Sequence, residues 1–190
     1  MRPPDGLSDL DRARIMRAYG KALYWIGAQT DETDKLEDAI AAFEAARDLT
    51  EQEDAPPLRA RILIDLGFTL SFFGDRQAGT GAYARSMEAH TAAQAILTPE
   101  DQLLLWSKSL RGRAGTAGLS FHRQGGDDLL QDAKAACERA LEHVTLENLP
   151  EEWASLKGTI ATTFLHLGRA RQDNLSYQRA IEAYTSALQI

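Results

Sequence analysis

The fold the sequence predicts is an all-α solenoid of four consecutive helical hairpins, and three observations predict it. The 190-residue chain maps onto itself at a shift of 47 residues without a gap. Within each unit, small and apolar residues recur at spacings of three and four, the period of a helix face. Proline, glycine and capping hydroxyls fall where such helices would begin and end.

The repeat is clearest in columns of small residues. Ala42, Ala89, Ala136 and Ala183 form one, and Ala46, Ala93, Ala140 and Ala187 another. Ala39, Ser86, Ala133 and Ala180 make a third, while Phe43, His90, Cys137 and Tyr184 give a column of mostly larger residues. Earlier in the unit come Ala13, Ala60, Ser107 and Ala154, then Gly20, Gly67, Ala114 and Ala161. Gly27, Gly74, Phe121 and Gly168 form a last column, from which the third unit departs. Small residues at these points let the two helices of a hairpin approach closely, with large side chains filling the space between units.

Each unit therefore reads as two helices, expected at about 8–27, 33–50, 57–74, 79–97, 99–124, 127–144, 150–169 and 174–189, with ends uncertain by roughly 2–4 residues. Ser8 with Asp11 resembles a capping box, and Thr98-Pro99-Glu100-Asp101 combines a capping hydroxyl, a first-position proline and acids in the first turn. Pro57 and Pro150 open the second and fourth units. Gly27, Gly74 and Gly168 are expected to end first helices in the left-handed conformation; the third unit uses Gly125-Gly126 instead, so its first helix should run longer. No segment alternates convincingly enough to be a strand. Residues 1–190 form one array, with units at about 8–54, 55–101, 102–148 and 149–190, because each hairpin needs neighbours to bury its faces.

Composition narrows the class. Hydrophobic residues make up 44%, enough for a core. Met1-Arg2-Pro3-Pro4-Asp5 is no signal peptide, and no stretch approaches a membrane span, so a soluble cytoplasmic protein without membrane contact is expected. The single cysteine, Cys137, rules out an internal disulfide framework. A net charge of −7 argues against nucleic acid as a general partner.

The second-helix pattern Ala39-x3-Phe43-x2-Ala46, repeated as Ala180, Tyr184 and Ala187, resembles the signature of tetratricopeptide repeats. Leu66-Gly67-x2-Leu70 and Tyr19-Gly20-x2-Leu23 are similar to the family's first-helix element. The resemblance covers nearly the whole chain but departs in length, since the usual unit has about 34 residues. It implies a right-handed superhelix whose first helices line a concave groove that binds peptides or helices of partner proteins. Members of that family are seldom enzymes, so no catalysis and no cofactor are expected here.

By that analogy the groove positions are Arg14, Arg17, Lys21, Tyr24 and Trp25 in unit one; Arg61, Ile64, Phe68, Ser71 and Phe72 in unit two; Lys108, Arg111, Gly115, Gly118 and Leu119 in unit three; and Ser155, Gly158, Thr162, Leu165 and His166 in unit four. None of these is acidic, whereas acids crowd the other helices and turns, as at Asp31, Asp34 and Glu37. A basic inner wall on an acidic protein suits an acidic protein or peptide partner. Arg14, Arg17, Lys21, Arg61, Lys108 and Arg111 are the candidates for holding its acidic groups. Tyr24, Trp25, Phe68 and Phe72 are the candidates for its apolar side chains. The competing reading is a solvated face, with pairs such as Arg61 and Asp65 at i,i+4. The Asn of carboxylate-clamp members is replaced here by Lys21, which argues against chaperone tails.

Other residues read as packing. Cys137 and His90 share the column of Phe43 and Tyr184, and Trp106 and Trp153 sit where units meet. His122, His143 and His166 show no metal-ligand spacing. Gly79-Thr80-Gly81 follows no strand and lacks the lysine of a phosphate loop. Glu151-Glu152 is explained by the dipole of a helix's first turn. Two further roles stay open. The edge of the last helix, with Ile181, Tyr184 and Leu188, lacks a polar cap, so either the protein continues beyond Ile190 or two copies meet there as a homo-oligomer. The array could also be the scaffold, sensor or adaptor portion of a larger bacterial protein, for example one with a caspase-like protease domain, or a receptor for a small ligand or signalling peptide.

Overall fold

The computed structural model describes residues 6–30, 32–77 and 81–189. Its eight helices are α1 Asp9–Gln29, α2 Thr33–Leu49, α3 Pro56–Arg76, α4 Gly81–Ile96, α5 Pro99–Gln124, α6 Asp127–Leu141, α7 Pro150–Arg171 and α8 Asn174–Ala187. The described residues contain no strand. Each helix end falls within three residues of its sequence expectation. The expected start of the fourth helix at 79, the Gly79-Thr80 pair, Asp31, the segment Met1 to Asp5 and Ile190 lie outside the described residues.

Consecutive helices pair as hairpins, and α2, α4 and α6 then pack on the next hairpin's first helix. The first helices α1, α3, α5 and α7 also pack in succession, whereas the backbones of α2, α4, α6 and α8 do not approach one another, and α2 meets α4 through the long side chains of the Arg85–Glu44 ion pair. The first helices thus form a closed inner row and the second helices a splayed outer row, so the array curves with its concave side on α1, α3, α5 and α7.

Helix starts follow the chemistry of unpaired N–H groups. The Ser8 hydroxyl accepts from the Asp11 amide at 3.1 Å, and Thr98 does the same for Asp101 at 3.3 Å. Asp173 accepts from the amides of Leu175 and Ser176. Pro56, Pro99 and Pro150 sit in first turns, where their missing N–H costs nothing. Gly125 and Gly126, at φ +70° and +99°, make the α5–α6 turn, and α5 is the longest helix with 26 residues.

The glycine column ending the first helices corrects the sequence expectation. Gly27, Gly74 and Gly168 lie inside their helices and do not have positive φ; the left-handed residue after α7 is Gln172. Their role is close approach. A Cβ on Gly27 would stand 2.9 Å from Leu36, one on Gly74 2.9 Å from Tyr83, and one on Gly168 3.0 Å from Tyr177. Leu36, Tyr83 and Tyr177 are themselves repeat equivalents, one per hairpin.

The same nesting recurs one helical segment earlier, where Gly20 receives the Phe43 ring and Gly67 receives His90. His90 also abuts Gly112 of α5, where an added Cβ would lie 2.3 Å from the imidazole. The alanine columns are buried throughout the first three units, and a buried large apolar side chain such as Phe43 contributes about 1.5–3 kcal/mol. Beside His90, the Ser86 hydroxyl donates to the Gly67 carbonyl at 2.7 Å, and the Thr116 hydroxyl lies between Ser86 at 2.8 Å and the Gly112 carbonyl at 2.9 Å, its one proton serving either. These bonds fasten α4 to α3 and α5. Cys137 is fully buried and its thiol is pushed up to about 12 by burial, in keeping with a packing role. Trp106 is buried against His143, and half-buried Trp153 packs on the same core.

His90 makes the fold acid-sensitive. Both ring nitrogens are buried without a hydrogen-bond partner, and burial, reinforced by Arg111, lowers its pKa from 6.5 to about 3. The unfolded chain takes up this proton below about pH 6.5 while the folded chain refuses it, so stability falls as pH drops from 6.5 towards 3, by roughly 1 kcal/mol per pH unit. His90→Phe, which copies the unit-one solution, is expected to flatten this acid limb when unfolding midpoints are compared across pH; an unchanged slope refutes the assignment.

Candidate functional site

The concave side carries a chain of cavities built on the inner row. The first, of about 560 Å3, is lined by Arg17 and Lys21 of α1, by Arg61, Ile64, Asp65 and Phe68 of α3, and by Lys108 and Arg111 of α5, with Gln102 to Leu105 closing one end. Gln102 has non-helical backbone angles (φ −144°, ψ 54°), so α5 is kinked at the cavity's edge. A second cavity, about 550 Å3, continues from Phe68 and Arg111 to Gly115, Gly118, Ser155, Gly158, Thr162 and His166. A third, about 460 Å3, opens from Lys108 and Arg111 towards Pro150 and Glu151. Arg111 borders all three.

The cations differ in how they are held. Arg17 donates to Asp65 at 2.7 Å across the α1–α3 junction. Burial pushes the Asp65 carboxyl above its usual range, and Arg17, Lys21 and Lys108 pull it back only in part. Arg111 grips Glu152 of α7 through two nitrogens at 3.0 and 3.3 Å. Glu152 is buried and also accepts from Ser107 at 3.2 Å. Lys21, Arg61 and Lys108 make no ion pair among the described residues. They leave the cavity with a net positive lining although the chain is acidic.

Of the sequence-derived groove residues, the structure brings Arg17, Lys21, Arg61, Phe68, Lys108 and Arg111 around one cavity. It leaves Arg14 out: its exposed side chain bonds Asp11 at 2.9 Å. Tyr24 packs edge-on to Phe72 and Trp25, and the Phe72 ring is covered by the Arg76 guanidinium at 4.7 Å, so these aromatics form a separate cluster beside the cavity. Trp25 is exposed. The wall is not acid-free, because Asp65 and Glu152 reach it from neighbouring positions on the same helices. Asp65 is held by Arg17 of the preceding unit, not by the Arg61 that i,i+4 spacing suggested. Glu152 is a bridge between units, which a first-turn dipole role did not anticipate.

Another cavity, about 790 Å3, lies away from this wall, between the start of α1 and the end of α2, over Leu7, Ile15, Met16 and Leu49 and rimmed by acids. One contact was not foreseen, between two histidines that the sequence sets aside for want of metal-ligand spacing. His122 of α5 and His166 of α7 meet with their Nε2 atoms 3.2 Å apart. Their separation of 44 residues carries no local ligand motif, and only the three-residue offset from the repeat would have flagged neighbouring helices.

No helix of the described residues is long and apolar enough to cross a membrane. No family model, curated protein or solved structure matches the chain. The helical-repeat architecture accordingly rests on the recurring helix pairs themselves.

The Arg111–Glu152 pair yields a stability prediction. Removing one partner strands a buried charge, so Arg111→Met is expected to cost about 3–5 kcal/mol, and adding Glu152→Leu should recover most of it. Denaturant unfolding of the two variants checks this; equal losses in both would show that the pair's electrostatics do not matter.

Proposed function

We propose that the chain is a protein-binding module, similar to tetratricopeptide arrays, that takes an acidic segment of a partner protein along its concave wall. The observation that carries the reading is the convergence of Arg17, Lys21, Arg61, Lys108 and Arg111 from three successive first helices on one cavity that also offers Ile64 and Phe68. Cations steer and orient an acidic ligand, while the apolar patches give it something to bury. The wall changes character along its length. Beyond Arg111 it is lined by glycines and hydroxyls, so an extended ligand places its carboxylates on units one to three and an uncharged stretch on units three and four. An adaptor role within a larger assembly is compatible with the same groove.

Fluorescence anisotropy with a labelled Asp/Glu-rich peptide containing one Leu tests this. Binding should weaken between about 0.05 and 0.5 M salt as charges are screened. The double reversal Lys21→Glu/Lys108→Glu should weaken it at least about tenfold, whereas Arg14→Glu, outside the cavity, should leave it within about twofold. Equal effects of the two variants would point to a diffuse solvated face.

A second reading, association of copies end to end, is favoured by a different observation. Ile15 is 53% exposed, although its repeat equivalents Ile62, Ser109 and Leu156 are 0% exposed. At the other end Ile181 and Tyr184 are exposed, whereas their equivalents in α2, Ile40 and Phe43, are buried in one cluster with Ile62 and Leu66 of α3. A second copy docking its α1 on α8 would repeat the α2–α3 junction. Its signature is a mass by light scattering that rises with concentration and returns to the monomer value in Ile15→Glu; a monomer at every concentration rejects it.

A further inference from the structure

We propose that His122 and His166 form a two-histidine site for a divalent transition-metal ion that clamps α5 to α7 on the concave side. The two Nε2 atoms are 3.2 Å apart, and the rings stand at 85° with centroids 4.0 Å apart. Two imidazole nitrogens bound to one Zn2+ at about 2.0–2.1 Å with a near-tetrahedral angle lie about 3.3 Å apart. The nitrogen spacing matches that bite, but the centroids are closer than those of two rings aimed at one ion, so binding must turn the rings about their side-chain bonds.

The chemistry of the donors fits. A ligating imidazole must be neutral, with its proton on the other ring nitrogen. A ring-to-ring hydrogen bond at 3.2 Å needs one Nε2 without a proton, so a lone pair is already available between the two rings. Without an ion, two neutral rings in this pose share a single Nε2 proton between them. With one, both lone pairs are used and both protons sit on Nδ1. His122 is exposed, so an ion reaches the pair from solvent.

The surroundings also set limits on the site. Among the described residues no group of three or more His, Cys, Asp and Glu side chains surrounds a common point, so the remaining coordination positions belong to water. His166 Nδ1 is buried with no acceptor to orient it, and the Arg169 charge opposes a cation. Absent outer-shell support typically costs 10–100-fold in affinity, which makes this a reversible site and not a permanent structural one. Imidazole pairs of this kind select Zn2+, Cu2+ or Ni2+ over Mg2+ and Ca2+, which prefer oxygen ligands. Because His166 also lines the second cavity, the open positions face the groove.

Calorimetric titration of the full chain with Zn2+ near pH 7.5 in a non-chelating buffer tests this. One equivalent should bind, Mg2+ should not, and the unfolding midpoint should rise with Zn2+ because the ion binds only the folded pair. His122→Ala, at an exposed position, should weaken binding at least about tenfold and abolish the rise in midpoint, since one ligand loses the chelate advantage. His166→Ala should do the same. No saturable binding, or Zn2+ affinity unchanged in His122→Ala, would overturn the assignment.

Discussion

The structure depends on one packing constraint: a first helix must offer a hollow wherever the second helix of its hairpin presents a ring or a branched side chain. Gly20 against Phe43, Gly67 against His90, Gly27 against Leu36 and Gly74 against Tyr83 are instances of that single contact, spaced along the hairpin and repeated along the chain. A Cβ at Gly67 would lie 2.6 Å from His90 and cannot be accommodated by a rotamer change, because Gly112 closes the imidazole from the other side. Overpacking of this kind typically costs 1–3 kcal/mol per site. The helices of each pair are therefore close because the residues between them are small, and the regular closeness makes four hairpins stack as one array.

Stacking in turn fixes what the inner wall looks like. The inner row is bound laterally by polar contacts as well as apolar ones. Arg76 reaches back from α3 to the carbonyls of Gly27 and Thr30 at the end of α1, and Arg123, its repeat equivalent, reaches from α5 to the carbonyl of Asp75 at the end of α3. A cation at a helix C-terminus satisfies orphan carbonyls and meets the negative end of the dipole. Arg171 of α7 pairs instead with Asp127 of α6, a different solution for the last junction. These contacts tie the ends of neighbouring helices together across the junctions between units.

Much of this was legible in the sequence because both layers of information are periodic. The 47-residue columns located all eight helices and identified Ala39, Ala42, Ala46 and their equivalents as core, since small residues in register can be small for only one common reason. The groove register placed Arg17, Lys21, Arg61, Lys108 and Arg111 on the inner row for the same reason. What was not legible is aperiodic. Asp65 and Glu152 each occur at one place in one unit, and the arginine that each meets lies 48 or 41 residues away. His122 and His166 occupy different columns and meet only because α5 and α7 are offset by part of a turn. The role of Gly27, Gly74 and Gly168 was misread because glycine serves both a left-handed turn and a close contact, and only the position of Leu36, Tyr83 and Tyr177 distinguishes them.

The division of labour among the cations explains how an acidic protein keeps a positive groove. Arg17 and Arg111 are tied to carboxylates and cannot swing away; they shape the cavity and contribute little net charge. Lys21, Arg61 and Lys108 lack such partners and supply the field. Were all five unpaired, their mutual repulsion inside one cavity would act against the stacking of α1, α3 and α5; were all five paired, nothing would remain for a ligand. Cross-unit carboxylates at two of the five positions resolve the conflict, and they do so at the junctions between units, where the same ion pair also fixes the spacing of the wall. A ligand of the proposed kind would meet a surface already organised for it, and its binding energy would not be spent on ordering that surface.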